Sequence, residues 1–232
     1  MSKRTISLFC FSPLIMLLTF SLEWLFALSA LVFYRKTRFG KLAVATLFCL
    51  GLFQFAENKI CTGGPNQLAT TVGLIAITLL PPLGLNLITQ ITGRRLVTKI
   101  SYFVATIFIL TFVFLPVLVT SPSVCTGNYI IIFLAPKLGM AYGLYYFGFL
   151  FWAIHDALGG RATAKLKEYR TVLGWLIGGY LSFILPMGIV YFLSEKSREA
   201  VPSIMCGFAI ILAIILTWRV LPLYHRIVPE KN

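Results

Sequence analysis

The fold is decided by one stretch of this chain, Leu79-Leu80-Pro81-Pro82-Leu83-Gly84-Leu85-Asn86-Leu87-Ile88-Thr89-Gln90. It lies in an apolar run from Leu68 to Thr92, and a helix needs about 20 such residues to cross a bilayer. Because Pro81 and Pro82 have no amide hydrogen, the helical hydrogen bonds to the carbonyl groups of Ile77 and Thr78 cannot form. The sequence therefore predicts a kinked, buried third helix. Its freed carbonyls need a neighbouring helix, a hydroxyl or a trapped water as a partner.

The composition indicates a membrane protein. The chain has 232 residues, of which 59% are hydrophobic and 12% are charged, whereas a soluble domain carries about 25% charged residues. The net charge is +13, but the basic residues form short clusters between apolar runs. No basic face with interleaved aromatic residues is visible outside these runs, so we expect no nucleic-acid partner. The expected surrounding is the lipid bilayer.

Seven apolar runs divide the chain, which predicts an all-α membrane protein built as a single seven-helix bundle over residues 1–232. A cleaved signal peptide is the alternative for the first run, but that run is longer than a signal core and contains Glu23. We therefore expect a retained span. The predicted spans are 6–33, 42–60, 68–92, 100–119, 138–154, 172–193 and 204–221.

The lysine and arginine positions predict the orientation of the bundle. With the amino terminus outside, fourteen of these residues fall on the inner side and six on the outer side. Cytoplasmic loops carry the excess of positive charge, so the sequence predicts an outer amino terminus, an inner carboxyl terminus and a multi-pass protein of the cell (inner) membrane. Lys3 and Arg4 are exceptions to this pattern.

Two outer cysteines open the same tripeptide, Cys61-Thr62-Gly63 and Cys125-Thr126-Gly127. A disulfide between these loops is expected if the outside is oxidising, although Cys206 also falls on the outer side. A metal site built from the three thiolates and Glu57 is an alternative, but no CxxC or HxxxH spacing supports it. We therefore predict no metal and no cofactor. The nearby segment 129–134 is too short to span and forms either a small strand or an interfacial segment.

Glu23 is the acidic residue that lies deepest in a predicted span. An ionisable residue at this depth usually faces the bundle interior and marks a functional site or a buried pair. Asn86 and Gln90, four residues apart on one face of the third helix, are its expected partners. The three residues form either a polar cavity or proton site, or a structural anchor between helices.

Glu57 and an aromatic stripe are the candidate ligand-binding residues. Glu57 lies near the outer end of the second helix, either paired with Lys59 or Lys137 or at the floor of an outward-facing pocket. The stripe runs along the fifth helix at spacings of three and four, which place its members on one face. It either packs and meets lipid, or lines a pocket for an apolar ligand. Its members are Tyr142, Tyr145, Tyr146, Phe149 and Trp152.

The sequence shows no catalytic motif. His155 and His225 are the only histidines, and neither has a serine or cysteine spaced to form a nucleophile–base pair. No glycine-rich phosphate loop is present either. The span 204–221 contains no lysine, which excludes a retinal Schiff base. An enzyme is therefore disfavoured. At the inner helix ends, Asp156 and Arg219 are expected to pair.

Four stretches resemble small, uncharacterised bacterial seven-helix membrane proteins. They are Glu57-Asn58-Lys59-Ile60-Cys61, Leu79 to Asn86, Cys125-Thr126-Gly127-Asn128-Tyr129 and Pro202 to Phe208. More loosely, the layout is similar to the seven-helix sensory region that precedes some bacterial histidine kinases, although no kinase follows here. Neither resemblance implies an activity or transfers a binding residue.

These observations favour a receptor-like or sensory module. It would take a small-molecule or lipid ligand from outside and signal through a separate cytoplasmic or membrane partner. A transporter or permease subunit that uses Glu23 and the broken third helix is the first alternative. A membrane-embedded lipid-modifying or thiol-redox enzyme is the second.

Overall fold

The computed structural model describes residues 13–119, 123–125, 130–193 and 201–228. Lys3, Arg4, Cys10, Lys196 and Arg198 lie outside these residues, as does the start of the first predicted span. The described helices are α1 (Pro13–Tyr34), α2 (Arg38–Gly63), α3 (Gln67–Thr92), α4 (Arg95–Phe114), a 3-10 turn (Pro116–Leu118), α5 (Pro136–Thr163), α6 (Lys167–Leu193), α7 (Val201–Ile215), a π-helical turn (Leu216–Val220) and α8 (Leu221–Ile227).

The fold is all-α and of the membrane-spanning type. Six helices of the described chain are long and apolar enough to cross a membrane, which indicates a multi-pass protein. The exception is α5, because its tyrosines, tryptophan and glycines make it less apolar over a similar length. It extends nine residues past its predicted end at Ile154, since Asp156 in that extension has partners on other elements.

The helices form a ring in which α3 has packed neighbours on most sides. The ring runs α1, α2, α3, α5, α6, α7 and closes where α7 packs on α1 and α2. The remaining long helix, α4, packs outside the ring against α3 and α5 and is the least buried of the six apolar helices. The predicted buried third helix is therefore α3.

The bounds of α3 follow from its flanking residues. Asn66 caps the start, because its side chain accepts a hydrogen bond from the Ala69 amide at 3.0 Å. Gly93 ends the helix with a φ of 79°, a left-handed conformation that glycine adopts without a steric penalty. Between these residues the helix continues through Pro81 and Pro82, and both prolines are buried.

The last three elements, α7, the π-helical turn and α8, form one continuous helix. At Leu221 the amide bonds to the carbonyl of Leu216, five residues earlier. This wider turn lies just before Pro222, which cannot donate a backbone hydrogen bond. This continuous helix ends at Ile227, six residues past the predicted end of the last span, because the π turn lets the helix pass the proline.

One end of the bundle, here called the disulfide end, is closed by a covalent link. The structure joins Cys61 at the end of α2 to Cys125 in a disulfide, with their Cα atoms 5.1 Å apart. Beside it β1 (Val124–Cys125) pairs antiparallel with β2 (Ile130–Ile131), so the predicted segment contains a small strand. The buried hydroxyls of Thr70 and Ser123 are hydrogen-bonded across the same end.

The opposite end, here called the basic end, is joined by an ion pair. Arg94 lies 3.3 Å from the Asp156 carboxylate, and Thr92 donates a hydrogen bond to the other carboxylate oxygen at 2.9 Å. The predicted Asp156–Arg219 pair is therefore wrong. The guanidinium of Arg219 lies over the ring of Trp175 instead. Sequence spacing could not separate two arginines at the same end of the bundle.

Candidate functional site

A cluster of four polar residues is buried between α1 and α2, which we call the carboxyl site. It consists of Thr19 and Glu23 from α1 and Gln54 and Glu57 from α2. Glu23 has no exposed surface, and Gln54 and Glu57 are each 1% exposed. Glu23 and Glu57 are close enough for their charges to interact. The fold thus buries two carboxyl groups on neighbouring helices inside the bundle.

The helix geometry explains why these side chains meet. Residues three or four apart share one face of a helix, so Glu23 stands with Thr19, and Glu57 stands with Gln54. Side chains lean toward the amino terminus of their own helix. Because α1 and α2 are antiparallel neighbours, the two pairs lean toward each other. The antiparallel packing is also seen where Trp24 of α1 stacks on Phe48 of α2.

Two side chains of the carboxyl site, Glu23 and Gln54, have buried polar atoms without a hydrogen-bond partner in the described chain. Neither carboxyl oxygen of Glu23 has a hydrogen-bond partner among the described residues, and the same holds for the amide nitrogen of Gln54. The hydrogen bond that crosses from α1 to α2 is long, 3.4 Å from the Thr19 hydroxyl to the Gln54 carbonyl oxygen. A buried polar group without a partner costs roughly 1–3 kcal/mol. These atoms therefore lower the stability of the fold.

A second polar cluster lies around the two prolines, and we call it the proline site. The Tyr145 hydroxyl donates a hydrogen bond to the Thr78 carbonyl at 2.6 Å. This is the carbonyl that Pro82 leaves free, and of the three expected kinds of partner it is a hydroxyl that bonds it. The side-chain hydroxyls of Thr78 and Tyr142 lie 3.0 Å apart. In the proline site the broken helical bond is replaced by a bond from α5.

Asn86 and Gln90 belong to a separate network below the proline site. The side-chain nitrogen of Gln90 donates to the side-chain oxygen of Asn86 at 2.9 Å. The side-chain nitrogen of Asn86 donates to the Tyr102 hydroxyl of α4 at 3.3 Å. Glu23 has no hydrogen bond to either residue. The prediction that Asn86 and Gln90 are the partners of Glu23 is therefore wrong, because α1 packs on α2 and α7, whereas Asn86 faces α4.

The aromatic stripe divides into a buried and an exposed part. Tyr142, Tyr145 and Tyr146 are buried, and the first two pack against the ring of Phe108. Trp152 is 49% exposed and its ring lies near His155. The three tyrosines thus hold α5 against its neighbours, and Trp152 lies apart from them.

A small cavity lies inside the helix ring. Its volume is about 20 Å³, enough for about one water molecule. Side chains from five helices line it, including Thr46, Tyr146 and Tyr180. Gly84 of the α3 motif also lines it, and a side-chain methyl group there would overlap the Tyr180 hydroxyl. The bundle axis is thus closely filled in this conformation.

The alternative metal site, built from three thiolates and Glu57, is not compatible with the disulfide. Cys61 and Cys125 are bonded to each other, so neither offers a thiolate, and the side chain of Cys206 lies outside the described set. Within the described residues, no group of three or more histidine, cysteine, aspartate or glutamate side chains is placed to hold a metal ion.

Sequence reasoning singled out Glu23 and Glu57 separately and did not bring them together. Thr19 was missed entirely. The signal that could have found the site is the pairing of polar residues at spacings of four and three on two consecutive spans, Thr19 with Glu23 and Gln54 with Glu57.

Comparison with known proteins adds no relative to these observations. No protein-family model matches the chain, and no curated protein matches it either.

Proposed function

We propose that this protein is a receptor-like membrane module whose signalling state depends on a proton or small cation bound at the carboxyl site. The state would be passed to a separate cytoplasmic or membrane partner. One observation carries the proposal, namely the complete burial of Glu23 with neither carboxyl oxygen hydrogen-bonded within the described chain.

The chemistry of buried carboxylates supports a cationic ligand. An ionised carboxylate away from water costs several kcal/mol unless a cation, a proton or hydrogen-bond donors neutralise it. The oxygens of Glu23 and Thr19 and the Gln54 side chain supply a polar lining of the kind that small hard cations prefer.

The location of the site supports a role in switching. Occupancy would change the electrostatic repulsion between α1 and α2, which are joined at the basic end by a three-residue connection. The same two helices contact α7, which leads into the π turn with the buried Thr217 hydroxyl. A change of helix packing at the carboxyl site therefore has a route to the basic end. The larger ligand that the aromatic stripe favoured finds less support, because its tyrosines are packed inside the bundle.

A transporter or permease subunit is the second candidate. The same site favours it, because membrane-embedded acidic residues also carry coupling ions through transporters. The broken third helix does not strengthen this candidate, since α3 stays helical through both prolines and packs away from Glu23. The proposed enzyme alternative has no supporting geometry among the described residues.

The first test of the proposal is chemical modification of the purified full chain in neutral detergent. A hydrophobic carbodiimide reacts with a protonated carboxyl in an apolar site, and peptide mass spectrometry measures the adduct. We expect Glu23 to react, and we expect either higher pH or added Na⁺ to slow the reaction. Glu168, exposed in the first turn of α6, is the matched control and should react with a water-soluble carbodiimide instead.

The outcomes separate the ligands and the functions. Slowing by pH alone identifies a proton, and slowing by Na⁺ at fixed pH identifies a cation. A reaction rate at Glu23 that neither condition changes would overturn the site. Cation flux into proteoliposomes that Glu23→Gln abolishes would favour the transporter. If a proton or cation bound at the carboxyl site changes the distances between spin labels at the basic end, and no cation flux is measured, the receptor would be favoured.

The remaining topological features are also part of the proposal. We propose that α5 also crosses the membrane, in addition to the six apolar helices, because its Tyr145 bonds to the middle of α3. We further propose an outer disulfide end, an inner basic end and a bend of α3 at Pro81 and Pro82, in the cell (inner) membrane. The supports are the positive charge of the basic end and the oxidised cysteine pair at the other end.

A further inference from the structure

A concave pocket lies at the basic end, where the chain passes from α5 to α6. Its volume is about 460 Å³, within the range of roughly 300–1,000 Å³ that is common for ligand pockets. We call it the basic pocket. It is separate from the carboxyl site and has no part in the function proposed above. Its lining residues are Arg161, Lys167, Arg170, Thr171, Gly174 and Trp175.

The turn between the helices gathers three cations. Arg161 comes from the last turn of α5, and Lys167 and Arg170 come from the first turn of α6. The Nε of Arg170 donates a hydrogen bond to the Ala164 carbonyl at 2.8 Å, which ties this side chain to the turn. That bond uses one of the five guanidinium donors.

The floor of the pocket allows the cations to lie close to the helix. Gly174 has no side chain, and a Cβ placed there would lie 3.6 Å from the Cζ of Arg161. The guanidinium of Arg161 therefore rests beside bare backbone. Next to it Trp175 is 38% exposed, and the Arg219 guanidinium lies 5.6 Å from its ring centre. A fourth cation thus borders the pocket.

The charge of the pocket is one-sided. Among the described residues no acidic side chain belongs to its lining, and the nearest acid in sequence, Glu168, is exposed on the first turn of α6 outside it. The amide groups of that first turn add positive partial charge. Arginine and lysine with helix-terminal amides are the groups that bind phosphate in proteins.

The depth of the pocket points to a lipid. The helix that contains the candidate span of α6 begins at Lys167. Lys167 and Arg170 lie in its first turn and Arg161 lies at the end of α5, which is where membrane-crossing helices meet the phospholipid headgroups. An exposed tryptophan at this level is typical of the bilayer–water interface. We propose that the basic pocket binds the phosphate of an anionic membrane lipid.

The experiment measures binding to the full chain in neutral detergent by native mass spectrometry. The probes are dihexanoyl phosphatidylglycerol, dihexanoyl phosphatidylcholine and inorganic phosphate. The test variant is Arg161→Gln with Lys167→Gln, which removes two of the three lining cations and leaves the Arg170 bond to the turn in place. The matched control is Arg95→Gln with Lys99→Gln, which removes the same charge from exposed residues at the start of α4.

We expect wild-type protein to prefer phosphatidylglycerol over phosphatidylcholine, and the test variant to lose at least about ten-fold in affinity, equivalent to about 1.4 kcal/mol. The control variant should stay within about two-fold of wild type. A third variant that exchanges the cations, Arg161→Lys with Lys167→Arg, should keep most of the affinity, which shows that a loss comes from charge and not from misfolding.

Three outcomes would overturn the proposal. An equal loss in the test and control variants would show general attraction to a basic surface. Equal binding of both lipids would remove the role of the anionic headgroup. Saturation by inorganic phosphate at the concentration that saturates the lipid would assign the pocket to a soluble phosphate compound. Failure of the carbodiimide test at Glu23 bears on none of these.

Discussion

The carboxyl site and the proline site are both polar and both buried among apolar helices, but they differ in how their groups are satisfied. At the proline site, the Thr78 carbonyl that Pro82 leaves free is bonded by Tyr145 at 2.6 Å. At the carboxyl site, the carboxyl oxygens of Glu23 and the amide nitrogen of Gln54 have no partner in the described chain.

The difference distinguishes a structural polar cluster from a candidate functional one. A satisfied network in a low-dielectric interior rigidifies the fold. Unsatisfied buried groups lower stability, and natural proteins tolerate them chiefly where function requires it. We therefore interpret the proline site as part of the scaffold and the carboxyl site as the place where a ligand binds. Four substitutions test this contrast.

The largest effect is expected from Gly84→Leu, next to the proline site. The new side chain would overlap the Tyr180 hydroxyl of α6, and overpacking of this kind costs about 1–3 kcal/mol. The free energy of unfolding in mixed micelles measures the loss. Gly143→Leu on α5 is the control, because open space surrounds that position. Equal losses of unfolding free energy in both variants would show that close packing at Gly84 is not the cause.

The next effect is expected from Tyr145→Phe, which deletes the hydroxyl that bonds the Thr78 carbonyl. Leaving a buried carbonyl unsatisfied costs about 1–3 kcal/mol. The same change should cost much less in a Pro82→Ala background, because the alanine amide would restore the helical donor to that carbonyl. A double-mutant cycle on unfolding free energies measures the coupling, and additive effects would contradict the assigned role of the tyrosine.

At the carboxyl site we expect a substitution to leave the free energy of unfolding unchanged or to raise it. Gln54→Met removes an unpartnered amide nitrogen together with the one long hydrogen bond from Thr19 and keeps a similar volume, so stability should stay constant or rise by about 0.5–1 kcal/mol. The same substitution should weaken the effect of pH or Na⁺ on carbodiimide labelling of Glu23. A loss of stability comparable to that of Tyr145→Phe would show that both sites are scaffold.

The smallest effect is expected from Trp152→Ala. This side chain is 49% exposed and stands apart from the buried tyrosines, and exposed substitutions usually change stability by less than about 0.5 kcal/mol. Neither the unfolding free energy nor Glu23 labelling should change beyond that range. A large change in the effect of pH or Na⁺ on Glu23 labelling would instead show that Trp152 takes part in ligand binding.

The helices themselves were predictable, because long apolar runs leave a membrane chain few alternatives to helix. The need of the Thr78 carbonyl for a new partner followed from Pro82 alone. Which hydroxyl supplies it did not follow, since Tyr145 meets Thr78 only through the packing of α5 on α3.

The partners of charged residues were less predictable for the same reason. Asp156 meets Arg94 and not Arg219 because α5 packs beside the end of α3. Glu23 lies against α2 and not against Asn86 because α1 packs beside α2. Sequence gives the depth of a residue in the membrane, but the order of helices around the ring decides which residue stands opposite.

The disulfide has a consequence for how the protein is made. Cys61 and Cys125 are separated by 64 positions, and α3 and α4 both lie between them. The bond can form only after α3 has crossed the bilayer and α4 has returned the chain to the side that holds Cys61. Oxidation of this pair therefore marks a completed insertion step. A chain that stalls after α3 therefore keeps a free thiol at Cys61.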